Sequence, residues 1–262
     1  MVPQIAMPGD NNVAKEQGKA ETTDRVTAKA GLAGIVCRPA LAGLLPACVS
    51  LQPLKFGAKD GKNFSMDIGC AILAGGRSVR MGRDKATAAF RGATLVKEVY
   101  DRVREVFSDI IVVSSLHSAI DGVDAPVVKD LLPLQSPMVG IATALLHSGK
   151  PRLFVVACDM PFLSAEGIRC VVAEAGGEDI TIPAIGDYYE PLHAIYRRSC
   201  LAPFLRLINL NMLKIRGVFP YLVVNAIRDN PCFLKENGRL VFSNINTEEE
   251  LARINTPAAG QD

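Results

Sequence analysis

From Met66 onward the chain alternates short, continuously apolar runs with longer stretches whose apolar residues recur at helical spacing. Ile68–Leu73 and residues 153–158 contain no charged or amide side chain, and residues 109–113 are apolar after Asp109. Runs of this kind, without polar alternation, are strands buried on both faces. Residues 94–107 instead set Leu95, Val96, Val99, Val103 and Val106 on one stripe, which predicts a helix. The same reading gives strands at 126–128, 180–185, 192–196, 221–227 and 240–242. It gives helices at 138–146, at 165–175 behind a Ser164 cap, at about 200–213 and at 247–254. Apolar strands separated by amphipathic helices predict a three-layer α/β/α sandwich with a mostly parallel central sheet.

Residues 1–65 differ. They carry Pro, Gly, Ala and Thr without sustained periodicity, and are expected to be an N-terminal extension, disordered or an artefact of an upstream start codon. The expected domain is 66–262. The most apolar part of the extension, residues 31–54, is interrupted by Arg38, Pro39, Pro46, Gln52 and Pro53. That excludes a membrane span, which needs about 20 mostly apolar residues. With Lys plus Arg at 29 and Asp plus Glu at 27, the formal charge of +2 argues against a nucleic-acid binder, which carries a basic stripe. Seven cysteines with no Cys-x-x-Cys, and three scattered histidines, offer no zinc spacing. Cys70 and Cys158 lie in apolar runs and read as reduced, buried thiols. The expected compartment is the cytoplasm.

The candidate chemistry begins where the first strand ends. Gly75 and Gly76 form a turn that lets backbone N–H groups approach a ligand, and Arg77, Arg80, Arg83 and Lys85 follow. This is the chemistry of a nucleoside triphosphate site. Neither a P-loop nor the Gly-x-Gly-x-x-Gly dinucleotide pattern fits, since five residues separate Gly76 from Gly82 and Arg83 follows. Arg77 and Arg83 could equally face solvent, and Asp84 is expected to pair with a neighbouring cation. Ser114, Asp130 and Asp159 each stand at the carboxyl end of another predicted strand. If those strands are neighbours, all share one crevice. Asp159, after an apolar strand and before Pro161, suits Mg²⁺, which takes one or two carboxylates plus substrate phosphates. The competing reading makes Asp159 and Asp130 turn residues.

Leu73 to Lys85 resembles the nucleotidyltransferase signature Leu-x-Gly-Gly-x-x-x-Arg-Met-Gly-x-x-Lys and matches it at every specified position. Within that superfamily the chain resembles the molybdenum cofactor guanylyltransferases, the MobA-like family, over roughly Met66 to the C-terminus. Cys158-Asp159-Met160-Pro161 resembles the family's Cys-Asp-x-Pro segment. Glu190-Pro191-Leu192-His193-Ala194-Ile195-Tyr196 resembles its Pro-Leu-x-Ala-x-Tyr strand. Lys214-Ile215-Arg216 resembles its basic segment, and Asn244-Ile245-Asn246-Thr247 its Asn-x-Asn-Thr segment. Ser136-Pro137-Met138 departs from the more usual Gly-Pro-Leu before Gly140.

The resemblance implies a Rossmann-like fold and a Mg²⁺-dependent transfer of GMP from GTP to the terminal phosphate of molybdopterin carrying molybdenum. It implies that Lys85 and Arg80 act on the phosphates and that Asp159 holds Mg²⁺. Leu73, Ala74, Gly75, Gly76, Lys85, Ser114, Asp130 and Asp159 would bind GTP, and Asn244 and Asn246 the pterin. Molybdoenzyme apoproteins or other cofactor-assembly proteins are possible partners; nucleic acid and membrane are not expected. Two alternatives stand beside this: a cytidylyltransferase or other small-phosphate nucleotidyltransferase of the same fold, and a non-catalytic nucleotide-binding regulatory module. Asn246 also reads as a helix cap with Glu249 three residues on. His193, on an apolar strand, reads as packed, and His117 and His147 as surface residues.

Overall fold

In chain order the elements are β1 (Ile68–Leu73), β2 (Ala89–Phe90), β3 (Ala93–Thr94), α1 (Leu95–Val103), β4 (Ile110–Ser114), β5 (Val127–Lys129), α2 (Pro137–His147), β6 (Arg152–Ala157), α3 (Ala165–Ala173), β7 (Ile180–Ile185), β8 (Tyr188–Tyr189), β9 (His193–Arg197), α4 (Leu201–Asn209), β10 (Val224–Arg228) and α5 (Glu248–Asn255). They come from a computed structural model that describes residues 67–75, 88–114, 120–235, 238–245 and 247–255. The extension 1–65 lies outside the described residues.

The two most apolar runs of the sequence, β1 and β6, pair in parallel at the middle of an eight-stranded sheet, and every residue of both is buried. The strand order is β10-β7-β9-β6-β1-β4-β5, with β8 folded back on β7. β1 also pairs in parallel with β4, β4 with β5, and β7 with β10. Strand β9 is the exception: it runs antiparallel to both neighbours, β6 and β7. The chain alternates across β1 as a strand must. Ile68, Cys70 and Ile72 join the core under α1 and α3, while Ala71 and Leu73 join the core under α2 and α4. The three-layer Rossmann-like α/β/α sandwich with a mostly parallel sheet is the observed architecture.

Two strand expectations are corrected. Residues 215–221 form a 3-10 helix containing Pro220, and β10 begins only at Val224. Proline has no N–H to give a ladder, and Tyr221 and Val223 stay exposed. Residues 240–242 make one bridge, Leu240 to Leu234, instead of a strand. Val241 and Phe242 are buried, and Val241 packs against α3: a Cβ on Gly167 would come within 3.0 Å of Val241 Cγ2 and 3.3 Å of the Cys232 carbonyl. The short hairpin β2–β3 and strand β8 have too few residues to show a period, and the hydrophobic pattern does not reveal them.

The helix caps follow the sequence. The Ser164 side chain accepts from Gly167 N at 3.1 Å, and Thr94 and Ser136 cap α1 and α2 in the same way. Ser164→Ala is expected to lower stability by about 0.5–2 kcal/mol, measured by urea denaturation; an unchanged midpoint would refute the cap. Cys70, Cys158 and Cys200 are buried and belong to no disulfide among the described residues. Cys170 on α3 is bonded to Cys232, 62 residues away; the cysteine spacing does not reveal this link. No helix among the described residues is long and apolar enough to cross a membrane.

Candidate active site

The last register pair between β1 and β6 is Leu73 opposite Ala157. Just beyond it, Cys158 N donates to the Leu73 carbonyl at 3.1 Å, and Ala74 N donates to the Val113 carbonyl at 2.8 Å. Ala74–Gly75 and Cys158–Asp159 therefore leave the sheet side by side. From β1 the chain winds outward through β4 and β5, then returns to β6 on the other flank of β1. Such a reversal opens a crevice at the carboxyl ends of an α/β sheet. Gly75 is exposed there and Asp159 half-buried. The sequence expectation that these strand ends are neighbours is met.

The nucleotide candidates on the other flank also converge. Ser114 and Lys129 are register partners, and Asp130 N donates to the Ser114 carbonyl at 3.2 Å. Ser114 itself is buried. Asp130 Oδ1 is buried, with no hydrogen-bond partner among the described residues. Burial pushes the Asp130 carboxyl above its ordinary range, and the nearby Thr143 hydroxyl opposes that shift. Thr143 is itself fixed, donating to Val139 O at 2.8 Å and accepting from Leu131 N at 3.0 Å. Gly140 lets α2 sit on the end of β1: a Cβ there would lie 3.1 Å from Leu73 Cδ1. Ser136 is the N-cap of α2, accepting from Met138 N at 3.2 Å.

Asp159 is approached from the C-terminal segment. Its carbonyl accepts from Ile245 N at 2.9 Å, which sets the exposed Asn244 beside it. Because β9 is reversed, its N-terminal approach lies at this same edge. Glu190 stands there, half-buried, with its N–H on the Pro183 carbonyl at 2.9 Å and Oε1 accepting from Leu192 N at 3.1 Å. Burial raises the Glu190 carboxyl to about 7, the Leu192 N–H opposes this, and the Asp159 charge raises it further. The basic segment packs alongside: Arg216 lies over the Tyr189 ring at 5.1 Å, and Arg228 lies over the same ring at 5.8 Å. Glu190 and Tyr189 carry no role in the sequence reading. The sequence shows a carboxylate just ahead of a Pro-Leu strand, but not the reversal of that strand, which is what brings Glu190 to this edge.

His193 is packed, as its apolar strand implied, against Phe154 at 5.0 Å and Phe242 at 5.5 Å. His147 is exposed. Gly76, Arg77, Arg80, Arg83, Asp84, Lys85, His117 and Asn246 lie outside the described residues. No group of three or more His, Cys, Asp or Glu side chains that could hold a metal occurs among the described residues. Mg²⁺ does not require one: a single hard carboxylate at the strand end, completed by phosphate oxygens, is its usual seat beside a nucleotide. Asp159 fits that donor set.

The comparisons with known proteins agree with this geometry. The model of the MobA-like NTP transferase domain matches residues 70–219, a span that holds Leu73, Asp130 and Asp159. A molybdenum cofactor guanylyltransferase of Desulfosudis oleivorans is 32% identical over 184 residues, covering 70% of this chain and 91% of that one. A Natranaerobius thermophilus protein described as a "probable molybdenum cofactor guanylyltransferase" is 32% identical over 191 residues, covering 71% and 93%. Among solved structures, molybdopterin-guanine dinucleotide biosynthesis protein A from Archaeoglobus fulgidus superposes with a TM-score of 0.61 at 28% identity, covering 71% of this chain and 96% of that one. The family match runs through the strands that flank the β1–β6 reversal, and this chain belongs to the MobA-like NTP transferase family.

Proposed function

We propose that the chain transfers GMP from GTP to the terminal phosphate of molybdopterin carrying molybdenum, giving the guanine dinucleotide form of the cofactor and diphosphate. The observation that carries this is the emergence of Gly75 and Asp159 from adjacent strand ends at the sheet's reversal point. A triphosphate lying over Gly75 is then within reach of a cation held by Asp159. The β4–β5 flank, with Ser114 and Asp130, takes the nucleoside. The opposite flank, with Asn244 and the Lys214–Arg216 segment, takes the acceptor, and Asn246 joins it.

The acceptor phosphate is already an anion and needs no protein nucleophile. The chain's task is to hold two anions in line and offset their repulsion. Lys85 and Arg80 supply positive charge to the departing diphosphate. Asp159 would hold Mg²⁺, which when bound supplies further positive charge to the phosphate oxygens. Catalysis is set in the cytoplasm, with molybdoenzyme apoproteins or other cofactor-assembly proteins as onward partners.

The test is to incubate the full chain with Mg²⁺, molybdenum-bearing molybdopterin and each of the four NTPs, measuring diphosphate and the base attached. GTP alone is expected to yield product. Transfer from CTP would move the chain to the cytidylyl reading. Absence of diphosphate with every NTP would leave a non-catalytic nucleotide-binding module.

A further inference from the structure

We infer that Thr143 of α2 is a positioning residue for the nucleotide: its hydroxyl fixes the peptide that follows Asp130, and so holds the Asp130 carboxyl where it meets the nucleoside. This deepens the reading above and rests on it.

Thr143 is fully buried on α2, flanked in the chain by Ile141, Ala142, Ala144 and Leu145, which are buried too. A hydroxyl in such a place costs stability unless it is paired. This one is paired twice. Thr143 Oγ1 donates to the Val139 carbonyl at 2.8 Å and accepts from Leu131 N at 3.0 Å. The first bond, one turn back, is open to any threonine inside a helix. The second leaves the helix and reaches 12 residues back along the chain, to the peptide that joins Asp130 to Leu131.

That bond falls where the chain has little else to fix it. Ahead of it, Ser114 and Lys129 form the last register pair of β4 and β5, and Asp130 N donates to the Ser114 carbonyl. Behind it, residues 131–135 belong to no helix or strand. Among the described residues, no other hydrogen bond ties those five to the rest of the fold. The N–H groups of Asp130 and of the residue after it are thus held from two layers, by Ser114 in the sheet and by Thr143 in the helix. Between those two anchors, Asp130 Oδ1 is buried with no hydrogen-bond partner among the described residues. A buried acceptor without a donor is costly to keep, and an N–H or O–H brought by a nucleoside recovers that cost. Such a bond forms only if the carboxyl is held at the right place, and the Thr143 anchor sits one peptide away from it.

The test is the affinity of the full chain for GTP with Mg²⁺ and without acceptor, measured by isothermal titration calorimetry. Thr143→Val keeps the side-chain shape and removes the acceptor for Leu131 N. It is expected to weaken GTP about 5–10-fold, the factor for one lost hydrogen bond, while Thr143→Ser keeps wild-type affinity. Asp130→Asn shows whether the effect runs through Asp130. Added to that variant, Thr143→Val is expected to cost about twofold more at most, since residues that act as a unit are not additive. Wild-type affinity in Thr143→Val, or the same loss with and without Asp130→Asn, overturns the inference and leaves the proposed function standing. If Thr143→Val does not fold by circular dichroism, Thr143→Cys, whose sulfur is a weak acceptor, is compared with Thr143→Ser, and equal affinities overturn the inference. The expected pattern seen with CTP instead of GTP supports the role of Thr143 and refutes the guanylyl reading. A wild-type chain that binds none of the four NTPs refutes both.

Discussion

Asp159→Asn is expected to cut turnover by about 10²–10³, or ~2.7–4 kcal/mol, the scale for losing one preorganised electrostatic stabiliser. The substitution is isosteric; it removes the charge and turns one acceptor oxygen into an N–H donor. The Asp159 backbone carbonyl still accepts from Ile245 N, and Cys158 N still donates to Leu73 O, so the edge of the sheet keeps its shape. The loss should fall on kcat more than on the Michaelis constant for GTP, because a cation stabilises charge that develops as diphosphate leaves. Steady-state kinetics with unchanged thermal melting would establish this. A variant within threefold of wild-type kcat would remove Asp159 from the chemistry and return it to a turn residue.

The second large effect concerns stability. His193 is fully buried among Phe154, Phe233 and Phe242, and neither ring nitrogen has a hydrogen-bond partner among the described residues. Burial lowers its pKa from 6.5 to about 4, and the neighbouring Gly167 backbone offsets only part of that. The folded ring is therefore neutral where the unfolded ring takes a proton. Above the unfolded value of about 6.5 this linkage costs nothing. As pH falls through the window from 6.5 towards 4, the unfolded state gains protons and the fold loses stability. Between pH 8 and pH 5 the loss is about 2 kcal/mol, rising to about 3 kcal/mol below pH 4. His193→Leu fills similar space with no polar atoms. It is expected to be more stable than wild type, and to lose this part of the acid sensitivity, in urea titrations at pH 8 and pH 5. Equal acid sensitivity in the two proteins would show that other groups set it.

What the sequence made legible follows from how local each signal is. β1 and β6 are read correctly because burial on both faces leaves an unbroken apolar run. Ser164 is read correctly because a helix cap demands a particular residue type. Asp159 stands out because a charged residue closes an otherwise apolar strand. Strand direction leaves no such mark. His193 to Arg197 would look the same parallel or antiparallel, so the position of Glu190 was invisible until the pairing was known. Residues 240–242 show the converse: an apolar triplet reads as a strand, although its burial comes from packing on Gly167. The Cys170–Cys232 bond depends on how α3 meets the Pro231–Phe233 turn, which spacing alone cannot express.

The sheet's wiring also bears on how the chain is made. β1 must wait for β6, which lies beyond α1, β4, β5 and α2, and β9 must then enter between β6 and β7. At ~5–20 residues per second on the ribosome, several seconds separate the synthesis of β1 from that of its longest partner. Long-range pairing of this kind is entropically late and slow. During that interval the wholly apolar Ile68–Leu73 has β4 at most on one side, so it is the segment that a chaperone guarding the nascent chain would meet first.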